Sequence, residues 1–446
     1  MKSNMKKTKK NDFDFIESQI SMIEKEMKSL MGDLFPICRS ITGDGVRKTH
    51  KIIGNHIKLK TFEIPSGTKV FDWTIPKEWN INDAYVIDPA GKKIIDFKKS
   101  NLHVLNYSDP INKKISLTEL KRHLHTLPSQ PNAIPYVTSY YKKDWGFCMS
   151  HNQFKKLKDG IYQVKIDSSL KNGHLTYSEF FLKGDTKDEI LLTCYTCHPS
   201  LCNDNLSGIA LITMLAKHLA NLKLRYSYRF LFIPETIGAI TWLKFNEKNL
   251  KRIKGGLVAT CLGDSGNFTY KKSRLGNAEI DLASTHVLQN SKTKHKILDF
   301  FPYGSDERQF CSPGFNLPIG SLMRTIYGEF DEYHNSLDNL KFVKSKNLLN
   351  SFLKYLKIIF ILENNKMYRS LNPKCEPNLG KRGLYKMLNN NTEIDIGTKA
   401  YHWILNLSDS HHSLLDISIQ SNVDFMLLHH AANTLVENGL LKEIKK

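Results

Sequence analysis

Residues 189–194, EILLTC, form a short apolar run of the kind that buries as a strand. The polar stretch YTCHPSLCNDN follows, and from Ser207 and Gly208 onward apolar residues recur at helical spacing over 209–222. The strand–loop–helix rhythm then repeats. Residues 228–233 read as a second central strand, 236–246 as a helix, 256–262 as a strand and 276–289 as a helix. A last apolar strand, 318–323, precedes a long helix over 344–367. Residues 161–167 and 175–182 read as a pair of edge strands. Such alternation predicts an α/β fold, a largely parallel sheet sandwiched between helices.

The flanks follow other patterns. Residues 13–60 read as helices around a glycine-containing turn, CRSITGDGVR. From 62 to about 109 the pattern is short strands broken by Pro65, Pro76, Pro89 and Gly91. Ser116 and Glu119 give the capping-box signature of a helix over 116–126, and an aromatic-rich extended stretch, IPYVTSYYKKDWGFCMS, comes next. The tail from Cys375 predicts three to four short helices, then Gly439 and an apolar LLKEI, the outline of a winged helix. The expected organisation is therefore N-terminal helices over 1–60, an inserted β-rich domain over 61–160, the main α/β domain over 161–370 and a winged helix over 371–446.

Composition narrows the function classes. A hydrophobic share of 41% and a charged share of 24% in 446 residues are those of an ordinary soluble protein. No apolar run nears the ~20 residues that cross a bilayer, and the N-terminal lysines precede no apolar signal core. The net charge of +20 is spread along the chain, and the densest run, 2–10, reads as a disordered tail. Specific nucleic-acid binding is not expected, because the candidate recognition helix at 423–437 has no lysine or arginine. Eight cysteines without a tight framework fit a reducing cytoplasm. A homo-oligomer is left open.

The chemistry-bearing residues sit just past predicted strands. His198 and Asp204 follow the strand at 189–194, Glu235 follows 228–233 and Asp264 follows 256–262. Asp306 opens a short helix in GSDERQF, and His334 lies in the loop EYHNSLDNL after 318–323. Groups that follow successive parallel strands project to one rim. Imidazoles and carboxylates gathered there suit zinc. Singly, each has a plainer reading as a helix cap or a packed loop residue. A rival metal reading is the run C-x-x-C-H-x-x-x-C at 194–202, as a structural zinc site. Arg324, Tyr327 and Tyr333 are candidates for contacting substrate, Arg324 through a carboxylate.

The order His, Asp-Asn-x-Ser-Gly, Pro-Glu-x-x-Gly, Asp, Ser-Asp-x-x-x-Phe, then His with Ser-x-Asp resembles the co-catalytic zinc aminopeptidases. Within them it is similar to bacterial aminopeptidase-like proteins with an inserted β-domain and a C-terminal winged helix, often encoded beside polysaccharide-biosynthesis genes. CHPSLCNDNLSG, RYSYRFLFIPETIGAI, IPYVTSYYKKDWGFC and CEPNLGKRGLY carry the resemblance, which covers nearly the whole chain after the first dozen residues. It implies a three-layer α/β/α catalytic domain and zinc-dependent hydrolysis of an amide bond, most simply by an aminopeptidase acting on a peptide or small-molecule amide with zinc-bound water as the nucleophile. His198 and Asp264 would ligate one zinc, Asp204 would be shared between two, His334 would ligate the second and Glu235 would be the general base. Where the family carries a second glutamate this chain has Thr236. The resemblance then leaves three outcomes: one zinc instead of two, replacement of the missing ligand by Asp306, Glu307 or Glu332, or a site without peptidase activity. An amidase acting on a glycan-linked amide and a non-catalytic partner-binding scaffold are the alternative functions.

Overall fold

The computed structural model describes Phe13, Ile16, 18–384 and 396–444. The lysine run at 2–10 lies outside the described residues. The chain forms two units, Met1–Ala278 with Thr293–Leu353 and Glu279–Lys292 with Lys354–Lys446.

The first unit is built on an eight-stranded sheet: β1 Lys60–Pro65, β2 His174–Leu182, β3 Glu189–Tyr195, β4 Ser227–Ile233, β5 Ile253–Ala259, β6 Phe268–Lys271, β7 His295–Leu298 and β8 Ile319–Met323. Their order is β1-β2-β4-β3-β5-β8-β6-β7. The four central strands, β4, β3, β5 and β8, run parallel, so their carboxyl ends share one rim. Every residue of β3 is buried, as expected of a parallel strand covered on both faces. Gly256 permits the close pairing of β5 with β3, because a Cβ there would lie 2.3 Å from the Leu191 carbonyl oxygen.

Four helices matter for the rim: α1 Ile20–Leu34, α2 Asp44–Ile53, α3 Ser207–Leu219 and α4 Ile237–Asn246. α1 buries Ile23, Met27, Leu30, Met31 and Leu34, a single helical face. α3 buries every residue but Lys217. Gly208 in its first turn lets it pack on the end of β5, where a Cβ would lie 2.3 Å from the Ala259 carbonyl oxygen.

The same unit contains a separate four-stranded antiparallel sheet, ordered Lys93–Asp96, Glu78–Ile87, Ile161–Lys171, Ile111–Ser116. It has its own core, including Val86, Ile95, Phe147, Tyr162 and Val164. One expectation is corrected here. The stretches 161–167 and 175–182 are not paired edge strands, since Ile161–Lys171 pairs with Glu78–Ile87 while β2 lies in the main sheet between β1 and β4. Alternation of apolar and polar residues marks a half-buried strand but does not name its partner.

The second unit holds a three-stranded antiparallel sheet, ordered Asp409–Ser413, Met367–Ser370, Leu441–Ile444. With it come the helices Ile396–Leu407, Leu414–Ser421 and Phe425–Glu437. Ser413 and Asp416 form a reciprocal capping box, and Asp424 caps Phe425–Glu437. That last helix buries Phe425, Leu428, Ala431, Ala432 and Leu435 and carries no lysine or arginine. This is the winged-helix arrangement. Among the described residues no helix is long and apolar enough to cross a membrane.

Candidate metal centre

The loop after β3 is held from below by Arg39, a fully buried side chain in the turn before α2. Its guanidinium donates to the carbonyl oxygens of His198 at 2.6 Å, Pro199 at 2.7 Å and Leu34 at 2.7 Å. Burial lowers its pKa to about 10, which leaves it cationic near neutrality. Arg39 went unassigned at the sequence level; an arginine inside the apolar context PICRSI was the available signal.

Asp204 lies in the following turn, Cys202–Leu206, with no exposed surface. Its backbone N–H donates to Asp338, and its Oδ1 accepts the hydroxyl of Tyr195, the last residue of β3. Tyr195 also lies 2.6 Å from the Thr260 hydroxyl just past β5. The other oxygen, Oδ2, faces two imidazoles: His198 Nε2 at 3.7 Å and His334 Nε2 at 3.0 Å.

His334 reaches this point on a loop pinned to the aromatic stretch. The Tyr136 N–H donates to the His334 carbonyl oxygen at 2.7 Å, and the Ile134 N–H to Ser336 Oγ at 2.9 Å. The Tyr136 ring lies 5.2 Å from the rings of both His198 and His334, and Tyr333 stacks on His334 at 3.9 Å.

One ligand atom from each of His198, Asp204 and His334 lies within 4.8 Å of the other two. Asp204 Oδ2 and His334 Nε2 are buried atoms with no hydrogen-bond partner, although they face each other. An orphaned carboxylate oxygen and an orphaned imidazole nitrogen beside a second imidazole are what a zinc ion with ligands at about 2.0–2.2 Å would satisfy. Electrostatics agree. Burial lowers the His198 pKa to about 4, so its ring is neutral and offers a lone pair. Burial pushes Asp204 upward, but the facing imidazoles outweigh it and hold the carboxyl at about 2. The site thus sets an ionised carboxylate beside the lone pair of a neutral His198.

Glu235 stands beside this group just past β4, with its Oε2 3.9 Å from His198 Nε2. Its Oε1 accepts from the Ser305 hydroxyl at 3.0 Å. Burial, then the nearby Asp306 and Asp204, raises its pKa well above the usual carboxylate range. Thr236, at a positive φ of 63°, donates its N–H to Asp306 Oδ1 at 2.7 Å, and its hydroxyl accepts from Arg308 at 3.0 Å. Burial raises Asp306 to about 7.

The remaining expected residues are placed elsewhere. Asp264 is outside the ligand group, because β5 ends at Ala259 and the chain runs on past the rim before reaching it. Its carboxylate accepts from Asn203 Nδ2 at 3.0 Å, the Gly266 N–H at 2.6 Å and the Thr325 hydroxyl at 2.6 Å. Of the substitutes, Glu307 is taken by Lys271 at 2.7 Å in a fully buried pair. Arg324 packs its guanidinium over Phe268, and Tyr327 points its hydroxyl at Lys271 and Glu307, so neither side chain lines the cavity over the histidines. Tyr333 touches His334 alone of those two. The cysteine run does not converge either. Cys197 joins His198 and Glu235, but Cys194 points at the Leu231 carbonyl oxygen and Cys202 is in neither group.

Over the histidines opens a cavity of about 300 Å³, lined among others by Trp73, Tyr136, Tyr140, Tyr141, His198 and Glu235. Trp73 and Tyr141 meet edge to face at 5.5 Å and are 39% and 50% exposed. A larger cavity of about 780 Å³ elsewhere in the unit includes none of the candidate site residues.

The fold is that of an aminopeptidase-like α/β protein with a C-terminal winged helix. The chain belongs to the family described as a domain of unknown function, DUF4910, whose profile matches 28–365, and a winged helix-turn-helix profile matches 366–443. A Clostridium acetobutylicum relative named for polysaccharide biosynthesis and an aminopeptidase-like domain is 56% identical over 417 residues, 94% of this chain and 96% of the relative. A crystal structure from Clostridium acetobutylicum, described as a candidate peptidase, has a TM-score of 0.92 at 53% identity, covering 97% of this chain and all of the other. A zinc aminopeptidase from Bacillus subtilis has a TM-score of 0.57 at 12% identity, covering 76% of this chain and 95% of the other. At that identity the likeness is one of fold.

Proposed function

We propose that this protein is a metal-dependent amide hydrolase, with zinc held by His198, Asp204 and His334 and with Glu235 as proton acceptor. The observation that carries the reading is the group of buried ligand atoms, two of them orphaned, with Glu235 beside it at the floor of the aromatic cavity. A zinc ion bound there lowers the pKa of a bound water to about 7 and polarises a carbonyl. Glu235 is suited to the proton traffic. Ser305 fixes its Oε1, its Oε2 faces the histidines, and its raised pKa matches a base that takes a proton from water and passes it to the departing nitrogen. Tyr136 and Tyr140 wall the cavity beside this exchange.

The cavity lining favours a neutral amide. Among the described residues that line it, Glu235 is the one carboxylate and there is no lysine or arginine, so the α-ammonium of a peptide would find no second acidic partner. Exposed aromatic rings suit a sugar face, and the relative's name points to polysaccharide biosynthesis. An N-acyl group on a sugar is therefore the preferred substrate over a free peptide N-terminus. Eight cysteines without the tight spacing of a small secreted fold fit a cytoplasmic setting.

The test is hydrolysis by zinc-loaded protein of a panel of N-acyl amino sugars and aminoacyl arylamides. Glu235→Gln should lower the rate by about 10²–10⁴-fold while zinc content stays unchanged. Loss of zinc in step with activity would make Glu235 a ligand, and a panel without turnover would favour the scaffold.

A further inference from the structure

We infer that this chain binds one metal ion, in a three-ligand site of His198, Asp204 and His334, and that Tyr195 and its neighbours close the position a second ion would need. The inference rests on the metal reading above and goes beyond it in number and in the role of Tyr195.

A carboxylate that bridges two ions offers one oxygen to each. In Asp204 only Oδ2 is free, and it already faces both imidazoles. Oδ1 accepts the Tyr195 hydroxyl, which is itself held at 2.6 Å by the Thr260 hydroxyl. Two imidazole nitrogens, one carboxylate oxygen and an open fourth position are the usual complement of a single catalytic zinc.

The other carboxylates that a second ion could use lie outside the ligand group, although Asp306 Oδ2 and Glu307 Oε2 are buried without a hydrogen bond. Asp264 is occupied by Asn203, Gly266 and Thr325, and Glu307 by Lys271. Thr236 brings a hydroxyl that accepts from Arg308, so a guanidinium stands where a second cation would need an anion. The group of Cys197, His198 and Glu235 is no separate site. It would have to share His198, whose Nδ1 lies 3.4 Å from Cys197 Sγ, and that sulfur already accepts the Glu235 N–H at 3.3 Å. Ligating two ions through one ring would require an imidazolate.

Tyr195 is thus a positioning residue for Asp204. Groups that orient a ligand in this way are worth 10–100-fold in metal affinity.

The experiment uses the full chain, stripped by chelation and titrated with zinc alone by calorimetry, with elemental analysis after desalting. One tight equivalent per chain is expected. Tyr195→Phe should keep that stoichiometry with affinity weakened about 10–100-fold, while the thermal unfolding of its metal-free form stays close to that of the parent. His334→Ala should abolish tight binding. Two tight equivalents in the unmodified protein, or unchanged affinity in Tyr195→Phe, would overturn the inference while leaving the hydrolase reading intact. Zinc retained by His334→Ala but lost from Cys197→Ala would move the metal to the cysteine group and overturn it too. No zinc at any concentration would overturn both readings.

Discussion

Asp338 holds Asp204 by its backbone: one oxygen of the buried Asp338 carboxylate accepts the Asp204 N–H at 3.0 Å, and the other accepts the Asn203 N–H at 2.6 Å. The loop that carries His334 thereby fixes the loop that carries Asp204, and the Ser-x-Asp that follows His334 in the sequence gains a physical purpose. Burial pushes the Asp338 carboxyl up to about 8 against the pull of these donors. Asp338→Asn turns one acceptor into an amide donor aimed at a backbone N–H. It should cost about 1.5–3 kcal/mol of stability and weaken zinc binding together with it. Chemical denaturation and zinc titration measure the two effects; unchanged values in both would dissolve the link between the loops.

Trp73 and Tyr141 form an exposed edge-to-face pair at the cavity wall, far in sequence from the histidines. If they grip substrate, Trp73→Ala and Tyr141→Ala should each raise KM about tenfold, equivalent to about 1.4 kcal/mol, with kcat and zinc content little changed. A fall in kcat alone would assign them to the chemistry instead, and no kinetic effect would remove them from recognition.

Much of the rim was legible because it rests on local pattern. β3 is an unbroken buried run followed by a polar loop, and the ends of β3 and β4 bring His198, Asp204 and Glu235 to one side. His334 was legible through its motif. Asp264 was misplaced because β5 stops at Ala259, three residues before the expected end, and the chain turns through Cys261 at a positive φ of 51°. Tyr195 and Tyr136 were missed because a tyrosine in an apolar run reads as core, and only contacts across the fold turn them toward Asp204 and the histidines. Thr236 was visible as a departure, but its partner Arg308 lies 72 positions away. The same gap explains the strands at 161–171 and 174–182: the first alternates in burial, the second is buried without a break over 175–179, and the partners of both lie far along the chain.

The winged helix supplies a separate expectation. Its helix Phe425–Glu437 presents histidines, asparagine and threonine but no lysine or arginine. Phosphate contacts from basic side chains supply most of the affinity of DNA-binding helices. Full-length protein in a gel-shift assay near physiological salt should therefore show no sequence-selective binding. A selective shift that weakens with added salt and is lost on truncation of the tail would contradict this.

His50 gives the protein a pH limit that is independent of catalysis. It is buried in α2, with Nδ1 2.9 Å from Ser178 Oγ and Nε2 3.2 Å from Thr196 Oγ1, so hydroxyls on β2 and on the loop after β3 satisfy its neutral ring. Burial lowers its pKa from 6.5 to about 3. The unfolded chain takes up a proton at this residue as pH falls through about 6.5, whereas the folded chain does not until about 3. The stabilisation is therefore complete above the unfolded pKa and is lost progressively down to the folded one, at about 1.4 kcal/mol per pH unit between them. His198, lowered to about 4, acts in the same direction, so the unmodified protein should lose stability more steeply than one histidine requires. His50→Gln keeps a polar side chain and removes the titration. Its unfolding free energy, measured by chemical denaturation from pH 4.5 to 6, should fall less steeply than the parent's by about 1.4 kcal/mol per pH unit, whatever its absolute stability. Parallel slopes would mean that folded His50 accepts the proton, and that the hydroxyls of Ser178 and Thr196 do not hold it neutral.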